Sequence, residues 1–332
     1  MTKLDEIAAA LDCSHVYIQT HDFPDPDAIA SAFGLQVLLK TRGISSTICY
    51  KGLIDRYSTA KMVQLLGIQL NNLERLEEID VLEESDEVIL VDSQKGNANI
   101  VDMTGDEVIC IDHHPVTTDI FSYRVKDIRP EYGACATIIA EYFFENNIPI
   151  TKELATAFTY AIRVDTNGLL RGVCKKDIEI LSEIYDLTDY SIIKSLENSV
   201  VYREDLKMFA EAMENIAIYD NVSFAHVGGG CPETLIAQIC DFMLELVEVD
   251  FSVVYSVKSG GVKLSIRSTN PKLDAGKIVR KALKGIGNGG GHAEMAGGFM
   301  PLPEGWHDES EISLVIRDRF LGVMHLSGKQ TV

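Results

Sequence analysis

Positive charge is scarce in this sequence. Thirty Lys and Arg stand against 50 Asp and Glu, a net charge of −20 at pH 7. Such a chain has no generic attraction for long duplex nucleic acid or for an anionic membrane. If it handles a polyanion, the polyanion must be short, and bound cations with a few local basic residues must hold it. No apolar run approaches the ~20 residues needed to cross a bilayer. The first eleven residues carry Asp5 and Glu6 and no apolar core, unlike a secretory signal. The seven cysteines (Cys13, Cys49, Cys110, Cys135, Cys174, Cys231 and Cys240) are odd in number and none has CxxC spacing. That pattern argues for reduced thiols and a cytoplasmic location rather than a disulfide framework. Repeats and low-complexity tracts are also missing. What is present is 332 residues, 46% of them hydrophobic, enough for two ordinary domains with sizeable cores.

The first half alternates strand and helix patterns. Strands are expected over 15–20, 46–50, 87–91 and 108–111, and helices over 27–41, 57–66 and 135–145. Strands alternating with helices of this length imply βαβ units and a mostly parallel sheet. In such sheets the ligand crevice lies beyond the carboxyl ends of the strands. Residues 175–217 read as helical, part of them linking two domains. Beyond them, strands are expected over 222–227, 251–257 and 262–266, with Ser259-Gly260-Gly261 as a hairpin turn, and helices over 231–246 and 274–283. The expected class is α/β in two domains: 1–195, a helical linker 196–218, and a smaller domain 219–332 with a mixed sheet.

Four segments bring carboxylates or imidazoles to the ends of apolar runs. His21-Asp22-Phe23-Pro24-Asp25-Pro26-Asp27 follows Val16-Tyr17-Ile18, and Asp92 closes Val88-Ile89-Leu90-Val91. Asp112-His113-His114 closes Val108-Ile109-Cys110-Ile111, and Asp165 closes the segment from Phe158 to Val164. Taken singly, several have plain readings. Asp25 and Asp27 suit a helix cap, Asp92 a strand-end acid, and Asp165 a C-terminal turn. Together they resemble a two-metal hydrolytic site. A His/Asp set with no thiolate favours Mn²⁺, with Mg²⁺, Co²⁺ or Zn²⁺ also compatible. Two such cations per chain lower the pKa of water and clamp the attacking and leaving oxygens of a displacement. No serine or cysteine nucleophile stands at convincing spacing from a base. Near the C-terminus, Gly289-Gly290-Gly291 lets backbone N–H groups approach a phosphate or base, and His292 and Arg267 add donors. Arg163 and Arg171 read as structural or solvated. His15, His226, His307 and His325 have no ligand partner at suitable spacing.

In order and approximate spacing, the four segments resemble the four motifs of the DHH phosphoesterase superfamily. Asn288-Gly289-Gly290-Gly291-His292 with Ala296-Gly297-Gly298, preceded by Leu264-Ser265-Ile266-Arg267-Ser268, resembles the GGGH signature of the DHH-associated domain. The resemblance covers residues from about His15 to Phe299 and looks most like the oligoribonuclease and pAp-phosphatase branch. It implies that 1–195 is the catalytic metal-binding domain and 219–332 the substrate-binding domain. It further implies that His21, Asp25 and Asp92 hold one cation, and that Asp27, Asp92, His113 and Asp165 hold the other, with Asp92 bridging. Asp112 would be an accessory catalytic group and His114 would face the substrate phosphate. Pro26 stands where glycine is common, and Asn167-Gly168-Leu169-Leu170 departs from the glycine and aromatic often seen there.

The expectation is a metal-dependent phosphodiesterase and phosphomonoesterase acting on short single-stranded oligonucleotides or on 3′-phosphoadenosine 5′-phosphate, with neither long duplex nor membrane as partner and a homodimer compatible with the chain. One alternative within the class is a linear or cyclic dinucleotide, or inorganic polyphosphate or pyrophosphate; no cluster of extra Lys and Arg speaks for polyphosphate. An alternative outside it is a nucleotide sensor without turnover, against which the intact ligand set counts.

Overall fold

A computed structural model describes all residues except 55, 77–81, 98, 117–120, 199–200, 259, 303–308 and 327–332. Ser259 of the expected hairpin turn and His307 lie outside the described residues. The chain divides into two units, Met1–Val200 and Val201–Val332.

In the first unit, α1 (Lys3–Ala9) precedes β1 (His15–Gln19), α2 (Pro26–Thr41), β2 (Ser45–Tyr50), α3 (Tyr57–Leu66), β3 (Asn71–Asn72), α4 (Leu73–Leu76), β4 (Glu87–Val91), β5 (Asp106–Asp112) and β6 (Val125–Ile128). Four helices follow: α5 (Cys135–Glu145), α6 (Lys152–Asp165), α7 (Lys175–Ile184) and α8 (Tyr190–Glu197). The strands form one sheet in the order β3-β2-β1-β4-β5-β6, every pairing parallel. The chain winds outward from β1 to β3, then returns to the other side of β1 and winds out to β6. The strand order therefore reverses between β1 and β4, where a crevice opens at the carboxyl edge.

All five residues of β4, Glu-Val-Ile-Leu-Val, are buried. This is the signature of a strand covered on both faces. Ile89, Val91, Ile109 and Ile111 pack into the core under α2, α5 and α6, while Val88, Leu90 and Cys110 face the opposite cluster with Tyr17, Cys49 and Met103. The alternation is the period-2 consequence of the pleat. α2 lies close on α6 because Gly34 has no side chain: a Cβ there would come within 2.6 Å of Phe158 Cζ. β3 and β6, of two and four residues, are edge strands too short to show a sequence pattern.

The second unit contains α9 (Leu206–Glu214), β7 (Ala217–Tyr219), β8 (Val222–Val227), α10 (Glu233–Met243), β9 (Phe251–Lys258), β10 (Gly261–Ser268), α11 (Ala275–Ala282), β11 (Asn288–Gly291), β12 (Met295–Pro301) and α12 (Glu309–Met324). The sheet runs β11-β12-β10-β9-β8-β7; β8 and β9 pair parallel and the other pairs are antiparallel, so the sheet is mixed. α10 covers one face through Leu235, Ile236, Ile239 and Met243. α11 and α12 supply Ile278, Val279, Ile312, Ile316 and Phe320 to the other core. The stretch 175–217 is several helices, and α9 is no free-standing connector. Ala212, Met208 and Phe209 pack in the second unit's core beside Ala225 and Val227 of β8. Burying that apolar stripe takes most of the expected 196–218 linker into the second unit.

Among the described residues no helix is long and apolar enough to cross a membrane. All seven cysteines are free thiols, and five of them are buried.

Candidate metal centre

The first-motif loop leaves β1 and enters α2. Asp25 is the N-cap of α2: its Oδ1 accepts from Asp27 N at 2.9 Å and Ala28 N at 3.1 Å, and Pro26 occupies the first helical turn. The cap reading of Asp25 holds, and the same Oδ1 lies 3.8 Å from His21 Nε2. Asp27 is buried and points at the N-terminus of α5. Its Oδ2 accepts from Cys135 N at 2.7 Å and its Oδ1 from Ala136 N at 2.8 Å, the orphan donors of a helix start.

Asp92 follows β4 at the strand-order reversal. It is 2% exposed and takes a left-handed φ of +59°, with its N–H donating to Ile111 O at 2.9 Å. The turn aims its two oxygens at different histidines. Oδ2 is 3.7 Å from His21 Nε2, and Oδ1 is 3.4 Å from His113 Nε2. His113 Nε2 is also 3.3 Å from Asp165 Oδ2 and 3.8 Å from Asp27 Oδ2. Asp165 is the last residue of α6. Three overlapping groups result: His21–Asp25–Asp92, Asp27–His113–Asp165 and Asp92–His113–His114.

Asp112 is fully buried and its oxygens are all engaged. Oδ1 accepts from His113 N at 2.8 Å, His114 N at 3.1 Å and His114 Nδ1 at 2.8 Å, and Oδ2 accepts from Gln94 Nε2 at 2.7 Å. It therefore orients the two histidines rather than reaching a ligand itself. Burial alone would depress His114, but the bond and charge of Asp112, with the charge of Asp165, raise its pKa above the usual histidine value.

These donors fit divalent cations. His113 Nδ1 faces Tyr132 O at 3.1 Å, and His21 Nδ1 faces Asp22 O at 2.8 Å. A carbonyl only accepts, so each neutral ring carries its proton on Nδ1 and turns a bare Nε2 toward carboxylates. Lone pairs would then face lone pairs at 3.3–3.8 Å. Ligand atoms each ~2.0–2.2 Å from a shared cation stand at such separations. Asp92 Oδ1 is buried and receives no hydrogen bond. Burial and the charges of Asp27, Asp25, Asp112 and Asp165 push the Asp92 pKa well above the carboxylate range. Burial, Asp165 and Asp25 do the same to Asp27 against the pull of its two N–H donors. A bound cation would remove both penalties.

Two supports, Gln94 and Asp177, had no sequence signal of their own. Gln94 also donates to His114 O at 3.0 Å, and the α5 N-terminus holds Asp27. Asp177, in α7, braces the loop before α5 by accepting from Gly133 N at 3.0 Å and Thr137 Oγ1 at 2.5 Å. Only the polar runs around these residues are visible along the chain. Arg171 donates to Asp165 O and Arg163 pairs with Glu197, both structural roles.

In the second unit, the glycine run is a strand. β11 pairs antiparallel with β12, placing Gly289 opposite Gly298 and Gly290 opposite Gly297. A Cβ on Gly289 would meet Val279 Cγ2 at 2.7 Å, and one on Gly276 of α11 would meet Gly291 O at 2.2 Å. These glycines let α11 lie directly on the hairpin. A Cβ at Gly290 would meet only Arg280 Nη2, at 3.6 Å. His292 is exposed at the hairpin end. Arg267 departs from the expected open phosphate donor. It is 5% exposed, its Nε donates to Asp241 Oδ1 at 2.6 Å, and its Nη1 donates to Ser265 Oγ and Ile266 O.

Residues 15–162 match the model of the DHH family N-terminal domain, and residues 220–312 match the DHHA1 domain. An uncharacterized protein of Methanocaldococcus jannaschii is 32% identical over 286 residues, covering 86% of this chain and 58% of that one. A second from the same organism is 27% identical over 94% of both chains. A probable manganese-dependent inorganic pyrophosphatase of Streptococcus thermophilus is 28% identical over 158 residues, 46% of this chain and 48% of its own length. The chain thus spans under two thirds of the first relative and about half of the pyrophosphatase. The solved structure of an exopolyphosphatase-related protein from Bacteroides fragilis shares the fold, with a TM-score of 0.76 at 18% identity, covering 98% of this chain and 100% of that one.

Proposed function

The chain belongs to the DHH phosphoesterase superfamily, and we propose that it is a metal-dependent hydrolase of phosphoric esters whose substrates are short single-stranded oligonucleotides or 3′-phosphoadenosine 5′-phosphate. The observation that carries this reading is the sharing of Asp92 and His113 among three ligand groups at the strand-order reversal of a parallel sheet. Two divalent cations, with Mn²⁺ favoured, would supply a water of lowered pKa and a clamp on the phosphoryl oxygens. His21, Asp25 and Asp92 would hold one, and Asp27, Asp92, His113 and Asp165 the other.

The protein's own groups do the rest. Asp22 O and Tyr132 O fix the tautomers of His21 and His113, so that each Nε2 stays a ligand. Asp112 holds a proton on His114 Nδ1. The raised pKa of His114 keeps the ring protonated to higher pH, so its Nε2–H can donate to a phosphoryl oxygen as charge builds there. In the second unit, Gly290 and the exposed His292 offer contacts to substrate. Arg267 is engaged through Nε with Asp241 and through Nη1 with Ser265 and Ile266, so those donors would reach phosphate by exchanging their present partners.

A second reading is favoured by one finding: the similarity of the N-terminal half to a probable manganese-dependent inorganic pyrophosphatase. A turnover panel with Mn²⁺ separates the two. It would contain 3′-phosphoadenosine 5′-phosphate, oligonucleotides of two to five residues, cyclic dinucleotides, polyphosphate and pyrophosphate. The nucleotide reading expects the highest kcat/KM on the first two classes; turnover of pyrophosphate alone would replace it. No turnover anywhere, with nucleotide still bound, would leave a sensor.

A further inference from the structure

We propose that Phe23 is a stacking platform for a nucleobase of the substrate, making it a specificity-determining residue that favours phosphoesters bearing an aromatic base over inorganic phosphates. This rests on the phosphoesterase reading above. Phe23 lies between His21 and Asp25 and has a φ of +58°. A bulky aromatic residue rarely enters the left-handed region, and holding it there is strained. The surroundings enforce it. Asp22 N donates to Asn99 O at 2.7 Å and Phe23 N donates to Lys51 O at 3.1 Å, holding the turn against the extended backbone that Pro24 favours in the residue before it. Burial does not repay the strain, because the side chain is 56% exposed.

The ring is nonetheless fixed. A Cβ on Gly52 would come 2.9 Å from Cε1 and 3.0 Å from both Cδ1 and Cζ, so one ring flank lies directly on the Gly52 backbone. Gly52 has φ +79° and follows β2, the strand beside β1. The ring thus stands at the carboxyl edge of the sheet, on the loop that carries His21 and Asp25. Among the described residues of these two loops, Leu53 is the only other exposed large apolar side chain, and Asp22, Asp25 and Lys51 are polar. A single held ring in a charged rim is too small an apolar surface for a protein partner. It suits a nucleobase, which stacks through its face and keeps its polar edge in water. Inorganic phosphates have nothing to place there.

The test is calorimetric titration of the Mn²⁺-loaded full chain with AMP and with ribose 5-phosphate, which lacks the base. The wild type should bind AMP about 5- to 150-fold tighter, the range for one base–aromatic stack. Phe23→Asn should lose that preference while its ribose 5-phosphate affinity moves less than twofold, and Phe23→Tyr should keep it. Asn accepts a left-handed backbone, so the variant should fold at least as well as the wild type. A Phe23→Asn protein that retains the AMP preference, or weakens toward both ligands equally, overturns the proposal. So does a wild type that prefers neither, which leaves the phosphoesterase reading intact. A wild type that binds neither ligand removes both.

Discussion

Replacing Asp92 by Asn tests the metal centre without relying on turnover. The substitution keeps shape and removes one charge. The facing ligand atoms of Asp25 and Asp92 lie within 4.8 Å of each other. Two ionised carboxylates at that distance repel by about 3.5 kcal/mol at an effective dielectric of about 20. Attraction to nearby histidines offsets part of this, so Asp92→Asn should stabilise metal-stripped protein by about 1–3 kcal/mol at pH 8. For a unit of this size that is about 3–10 °C in Tm. Adding Mn²⁺ at about 100 times Kd should stabilise the wild type by about 2.7 kcal/mol per site. Both proposed sites would use Asp92, so the variant should lose most of that gain. The melting order of the two proteins therefore inverts when Mn²⁺ is added. The sign with pH follows from linkage. The folded-state pKa of Asp92 is raised, so stripped wild type binds more protons folded than unfolded and loses stability as pH rises from about 4 through that pKa. Asp92→Asn should flatten this slope. Calorimetric melts at pH 5 and 8, with chelator or with Mn²⁺, give all four arms. A variant that melts below wild type in chelator, or gains as much from Mn²⁺, would refute the reasoning.

Asp27→Asn should behave oppositely in chelator: its amide NH2 would face either Cys135 N or Ala136 N, donor against donor, so a drop of about 1–3 kcal/mol in denaturant melts should accompany metal loss. Asp112→Asn should lower kcat about 10- to 100-fold and shift the pH profile of the His114-dependent step downward, because the partner that raises the His114 pKa is weakened. Burial would raise the Asp127 carboxyl, but Arg129 and Tyr142 outweigh it and hold its pKa low, so its stabilisation is complete above about pH 4 and lost as pH falls through the folded-state value; acid melts of Asp127→Asn should show a shallower fall in that window. Gly276→Ala should destabilise the second unit by 2 kcal/mol or more, an order-of-magnitude value for overpacking against backbone, with the first unit's Mn²⁺ response unchanged. Catalytic efficiency should not grow with strand length beyond about five nucleotides, and its salt dependence should be shallow, at roughly 0.7 per phosphate contact in log–log slope.

The parallel sheet and the candidate ligand set were legible along the chain because both are local patterns. A strand buried on two faces must be a continuous apolar run, as Val88 to Val91 is, and a ligand at its carboxyl end is the next residue. The four clusters stood out because paired imidazoles and carboxylates are costly after apolar strands unless something holds them. Other features depend on partners distant in sequence. The approach of Asp92 to His21, the capping of α5 by Asp27 across 108 residues, and the hold of Gln94 on Asp112 follow from the strand order β3-β2-β1-β4-β5-β6. The glycine run shows the same limit. Its composition permits a loop, and only the pairing with β12 makes it a strand, in which Val279 of α11 closes Gly289 to a side chain and Met295 and Ala296 of β12 close Gly291. Arg267 could be named from its motif, but its burial against Asp241 depends on α10 lying over β10. Sequence by itself determined which residues could be ligands and that they close apolar runs. The tertiary structure decided which oxygen faces which imidazole, because those directions are set by backbone turns, such as the left-handed Asp92, and by helix starts that come from other parts of the chain.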